Sequence, residues 1–213
     1  MLTELGNKNA DIARLAEQAC RDPAMLSEIV GGLRLKVNTK SAEETIRYNC
    51  FKVLMHIAGT RSELLYPEWD SFVQLLSSNN SYHKMAAVQL VAGLVKADTE
   101  GKFEKIFETY FGLLDDQSVI VAIYVASNAG QIVNAKPALQ ARVTDMLLGI
   151  ESTHHLPGRK ALIAAGAVEA FGEYMGQASN RDRIVEFVSR QQQSQSPKTR
   201  KLAKEFLKRY PGE

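Results

Sequence analysis

One pattern constrains this chain more than any other: a fixed set of offsets that returns every 37 to 40 residues. Arg47 is followed at +3, +7 and +10 by Cys50, Leu54 and Ile57, and Lys84 by Ala87, Val91 and Leu94. Ala122 leads to Val125, Ala129 and Ile132, and Lys160 to Ile163, Ala167 and Ala170. Arg200 leads to Ala203, Leu207 and Tyr210. The five starting residues lie 37, 38, 38 and 40 apart. A period of that length is the signature of a repeat architecture, in which each unit buries its apolar faces only against its neighbours.

The offsets themselves are helical. Ile12, Leu15, Ala16 and Ala19 form one apolar stripe; Ile106, Phe107, Tyr110, Leu113 and Leu114 form a second. Leu202, Phe206, Leu207 and Tyr210 form a third, and no run alternates with period two. Breakers at Asp22-Pro23, Gly31-Gly32, Ser78-Asn79-Asn80, Gly101, Lys136-Pro137, Pro157-Gly158 and Ser196-Pro197 divide the chain into about eleven segments of helix length. Pro23, Pro137 and Pro197 sit where a first helical turn tolerates a missing N–H. The reading is all-α: a right-handed α-α superhelix (solenoid) of about five helical hairpins plus a C-terminal capping helix, as a single domain over residues 1–213. The hairpins are expected at about 8–36, 41–78, 81–114, 118–150 and 157–193, and the cap at 197–210. That last helix has Lys198, Lys201, Lys204 and Lys208 on one face and Leu202, Ala203, Phe206 and Leu207 on the other.

Segment Leu113–Ile132, LLDDQSVIVAIYVASNAGQI, shares its layout with Leu75–Leu94, LLSSNNSYHKMAAVQLVAGL, at an offset of 38. On these residues the chain resembles the HEAT-repeat family, within the wider armadillo-like class, whose pattern is close to L-L-x-D-x-x-x-x-V-R-x-x-A-x-x-x-L-G-x-I. Leu113, Leu114, Asp116, Val121, Gly130 and Ile132 match it, with Ala129 in place of the Leu. Ser78 stands at the turn Asp of the earlier copy, and Ala122 at the Arg. The resemblance covers about residues 41 to 210, after a degenerate first hairpin. It implies a non-catalytic scaffold that holds a protein or peptide on the concave face or on the turns within repeats. The alternative it implies is a nucleic-acid-binding protein, similar to the HEAT-like DNA glycosylases.

Composition narrows the partners. The net charge of +2 gives no general attraction to nucleic acid or anionic membrane. Residues 181 to 209, however, carry nine Lys and Arg against three acids. Polar faces of second helices place Gln74, Lys105, Glu108, Arg142, Asp145, Arg183 and Glu186 on the expected protein-binding surface. Turns inside the hairpins place Arg61, Lys102, Lys136 and Arg181 along a basic edge suited to phosphate or acidic protein. The start, MLTELGNKNADIARL, has no apolar core behind a basic end, and Ser118–Val133 is too short and too interrupted to span a bilayer. A cytoplasmic protein without membrane association is expected, with Cys20 and Cys50 as buried, reduced thiols.

Catalytic and cofactor signatures are missing from the sequence: no phosphate-binding Gly-rich loop and no CxxC. No cofactor or metal is expected. His154-His155 reads as a solvated loop pair, because adjacent histidines do not easily converge on one ion and no second ligand pair stands nearby in sequence. Asp115-Asp116 reads as helix-capping chemistry, His56 as a half-buried packing residue, and Gly166, Gly172 and Gly176 as close packing or relaxed helix ends. Trp69 reads as core, with a binding anchor as the alternative.

Overall fold

The computed structural model describes residues 2–35 and 42–212, and every regular element among them is helical. The boundary expected between the first two hairpins, near residues 36 to 41, lies outside the described residues. Among the described residues there are thirteen α-helices: α1 Leu2–Leu5, α2 Ile12–Ala19, α3 Pro23–Gly32, α4 Ala42–Thr60, α5 Ser62–Leu65, α6 Trp69–Leu75 and α7 Ser81–Leu94. They continue with α8 Lys102–Gly112, α9 Val119–Ala135, α10 Gln140–Leu148, α11 Pro157–Tyr174, α12 Arg181–Gln191 and α13 Pro197–Arg209. The chain divides into two compact units, Met1–Asp98 and Thr99–Glu213.

Local chemistry sets the helix ends. Asp22 accepts hydrogen bonds from the Ala24 and Met25 amides, and Pro23 opens α3. Asn80 caps α7 through the Tyr82 amide, and Ser196 caps α13 through the Thr199 amide with Pro197 first in the helix. Each such cap satisfies amides that the helix itself leaves unpaired. The turns before α7, α9 and α13 share one device at offsets of 38 and 78: Ser78 Oγ, Asp116 Oδ1 and Ser194 Oγ each accept from the amide two residues on. Gly101, the residue before α8, has a φ of 67°, the only left-handed backbone among the described residues. A side chain with a Cβ is disfavoured there.

In four of the five copies the recurrent offsets are buried positions; in the fifth, on α13, Ala203 is buried while Leu207 and Tyr210 are half-buried. Cys50, Leu54 and Ile57 are inaccessible on α4, as are Ala87, Val91 and Leu94 on α7. Val125, Ala129 and Ile132 on α9, and Ile163, Ala167 and Ala170 on α11, are equally closed. Arg47 is the sixth residue of its helix; Lys84, Ala122, Lys160 and Arg200 are each the fourth. Two of the four basic members clamp their own approach loops. Arg200 Nη1 donates to the carbonyl oxygens of Ser194 and Gln195, and Lys160 Nζ to that of Glu151. Arg47 instead pairs with Glu44 and stacks over Tyr82.

In the first unit α4 is the hub, packed by α1, α2, α3 and α7. Asn49 holds α1 to it, its buried amide donating to the Leu5 and Asn7 carbonyls at 2.7 and 2.8 Å. Cys50 faces Gly32 of α3 so closely that a Cβ on that glycine would fall 2.4 Å from Sγ. Trp69 is fully buried against Tyr66, in accord with the core reading.

In the second unit two rows form. α9, α11 and α13 lie side by side, α11 touching both of the others. The α9–α11 seam is narrow because Gly166 lets the helices close: a Cβ there would meet the Ser127 amide nitrogen at 2.9 Å. Gly172 and Gly176 have no such neighbour, so of the three glycines only Gly166 serves close packing. α8, α10 and α12 make the second row. Phe103, Phe107, Tyr110 and Phe111 of α8 form an edge-to-face aromatic cluster beneath it. A buried polar network fixes α10: Gln140 bonds Thr144, Asn180 and Ser179, and Thr144 Oγ1 lies 2.9 Å from the Tyr174 hydroxyl. α13 turns Lys198, Lys201, Lys204 and Lys208 to solvent, as its pattern predicts.

Candidate functional site

The second helices of the second unit bring six of the seven sequence-selected surface residues onto one face. α8 supplies Lys105 and Glu108, α10 Arg142 and Asp145, and α12 Arg183 and Glu186, all exposed. The charges pair across the helices. Arg142 donates to Glu108 at 2.8 Å while its guanidinium stacks 4.0 Å over Phe107; Arg183 donates to Asp145 at 2.6 Å. Glu186 accepts from Arg190 at 2.8 Å, and Arg190 reaches on to Glu151 at 3.0 Å. Sign thus alternates along the row, and each bond between helices joins residues 34 to 39 apart in sequence. The seventh residue, Gln74, belongs to the first unit, where it is exposed and accepts from Arg34. Sequence periodicity found these positions because they are the polar sides of amphipathic helices; it gave no sign that they pair with one another.

The basic edge divides differently. Arg61 and Arg181 are exposed at the starts of α5 and α12. Lys136 is folded back, with both Glu104 carboxylate oxygens 2.8 Å from Nζ and only 12% of its side chain exposed. Lys102 stands 3.7 Å from Glu100. An open groove of about 350 Å³ runs between the start of α11 and the loop after α12, lined by Glu151, Lys160, Ala164, Gln191 and Gln195. With Ile150, Pro157 and Ala161 also on its walls, its lining is more apolar than polar.

The remaining candidates include a cluster that sequence spacing did not reveal. Asp116 does cap the turn, but Asp115 crosses to the loop ahead of α11. Its Oδ1 accepts from the His154 amide at 2.7 Å and lies 2.6 Å from the ring Nδ1 of the same residue. His155 is not solvated, as expected from the loop pair, but buried: its ring lies 4.4 Å from that of His154 and its Nε2 is 3.2 Å from the Leu114 carbonyl oxygen. His56 departs from expectation in the other direction and is exposed on α4. Hydrogen bonding from His154 holds the Asp115 carboxyl below its usual range, while burial and then the His154 charge push His155 below the usual imidazole value. A spacing of 39 residues hid the cluster, since ligand patterns are sought over short intervals; the 38-residue period, which stacks this turn on the next, was the available signal. Of the two thiols, both free, Cys50 is buried and Cys20 only half-buried. Burial, with Glu28 nearby, pushes the Cys50 thiol up to about 12, which keeps it protonated and inert.

Among known proteins, no family model and no curated protein matches the chain. A crystal structure of an engineered protein is similar to it at a TM-score of 0.48 and 18% identity, over 94% of this chain and 88% of that one. Among the described residues no helix is long and apolar enough to cross a membrane.

Proposed function

We propose that this chain is a HEAT-like α-solenoid that acts as a non-catalytic scaffold, binding a protein or peptide along the second helices of its repeats. The observation that carries the proposal is the exposed, sign-alternating row over α8, α10 and α12. Exposed ion pairs are worth about 0–1 kcal/mol each, so they exchange partners at little cost. A partner segment of complementary alternating charge gains register from such a row more than raw affinity. The surface is extended rather than enclosed, which suits a chain-like ligand better than a small substrate. HEAT membership is supported by the matched pattern residues, since Leu114, Val121 and Ile132 are buried and Asp116 caps its turn.

Nucleic-acid binding is less well supported, because Lys136 and Lys102 of the basic edge stand beside Glu104 and Glu100. The test is capture from native extract with quantitative mass spectrometry, using wild type and a triple charge reversal of Lys105, Arg142 and Arg183 to Glu. A partner enriched by wild type and lost by the variant is the expected result. The same proteins recovered by both would rule this face out. Duplex DNA retained at low salt and released steeply by added salt would favour the alternative.

A further inference from the structure

We infer that Asp115, His154 and His155 form a binding site for a divalent transition metal of the zinc type. One carboxylate oxygen of Asp115 and one ring nitrogen from each histidine lie within 4.8 Å of one another. Two imidazoles and a carboxylate are the ligand set that zinc and its neighbours prefer over magnesium or calcium. Ligands about 2.0–2.1 Å from a tetrahedral ion stand about 3.3 Å apart, so closure requires movements of roughly an ångström. Asp115 and His154 are half-exposed and free to make them; their side chains retain 54% and 52% of their accessibility.

The buried histidine supplies an independent reason. Only 4% of His155 is exposed, and its Nδ1 has no hydrogen-bond partner in the protein. Its Nε2 faces the Leu114 carbonyl, which can only accept, so the proton sits on Nε2 and the Nδ1 lone pair is left open. A ligating histidine is ordinarily held in this way, with one ring N–H donated to a backbone carbonyl while the other nitrogen takes the ion. A buried nitrogen without a partner is otherwise a net cost to the fold. The Asp115–His154 contact explains itself as an exposed pair; the orphan nitrogen beside it does not. Three protein ligands leave a further coordination position for water or for a group from a partner.

The test is calorimetric titration of Zn²⁺ into the full chain, free of any histidine tag and stripped with chelator. One equivalent of Zn²⁺ is expected, with affinity reduced at least about tenfold in Asp115→Asn and in His154→Asn. His56→Asn and His83→Asn, at histidines outside the cluster, should bind as wild type does. Because His155 is buried, Asp115→Asn and His154→Asn, both at exposed positions, decide the outcome, and circular dichroism checks that each is folded. No uptake by wild type up to about 0.1 mM free Zn²⁺ would overturn the site. Undiminished binding by both variants would do so equally.

Discussion

The two helix rows of the second unit differ in what their sequences say. α9 and α11 are apolar or small nearly all round: Val121, Ala122, Val125, Ala126, Ala129, Ile132 and Val133 are buried on the one, and Ile163 through Val168 on the other. α8, α10 and α12 are amphipathic, with a buried stripe below and paired charges above. A helix buried on several sides tolerates almost no change of volume or charge, whereas the solvent face of an amphipathic helix tolerates most changes. The first row therefore tolerates little change anywhere, and the second tolerates it only on its outer face.

The sharpest way to break that contrast is Ala129→Glu. Its Cβ is inaccessible, so a carboxylate there goes unpaired into the α9 interface, and a loss of about 3–5 kcal/mol is expected in chemical denaturation. If the variant melts like wild type, Ala129 does not face the core. Next comes Gly166→Ala, whose added methyl strikes backbone across the α9–α11 seam; about 1–3 kcal/mol should go. Thr144→Val probes the second row from beneath. It removes the Tyr174 partner and a Gln140 contact, for about 1–3 kcal/mol, measured in the same way.

A pH profile sharpens the comparison at the turns. His155 is held below the ordinary imidazole value of about 6.5 by burial, then by His154. The unfolded chain takes up that proton first, so its contribution is complete above about pH 6.5 and declines as pH falls toward the lowered folded value. His83 shifts the same way through burial and the Arg47 charge, so both units contribute to the decline. Melting in chelator should weaken between about pH 7 and 5, and less steeply in His155→Gln. An unchanged slope would remove His155 from the account. The smallest effect is expected on the outer face. A double-mutant cycle of Asp145→Ala and Arg183→Ala should give a coupling below about 1 kcal/mol, and a larger value would mean that the row holds the fold together.

Helices were legible in the chain because their determinants are local. Asp22-Pro23 and Ser196-Pro197 announce α3 and α13, and the +3, +7, +10 offsets named buried positions on four first helices. The residues of the charged row were legible too, as solvent-facing positions. Their pairing was not, because Arg183 meets Asp145 only when one helix is laid beside another. The Asp115–His154 contact was hidden for the same reason, and the pair read as two separate bland features. The fate of His56 and His155, one exposed and one buried, depended on a single position of rotation or loop path.

Thr199 donates to the Ala161 carbonyl at 2.6 Å, Gln140 to Asn180 and Arg183 to Asp145, and each bond spans 38 to 40 residues. Cohesion in this unit is accordingly short-ranged: among its described residues no such clasp skips over a hairpin to fasten a distant one. Gain or loss of a whole period of about 38 residues would leave every surviving clasp with a mate, whereas an insertion of half that length would strand donors on both sides. A change of length in whole modules would therefore cost such a chain less than one that cuts a module in two.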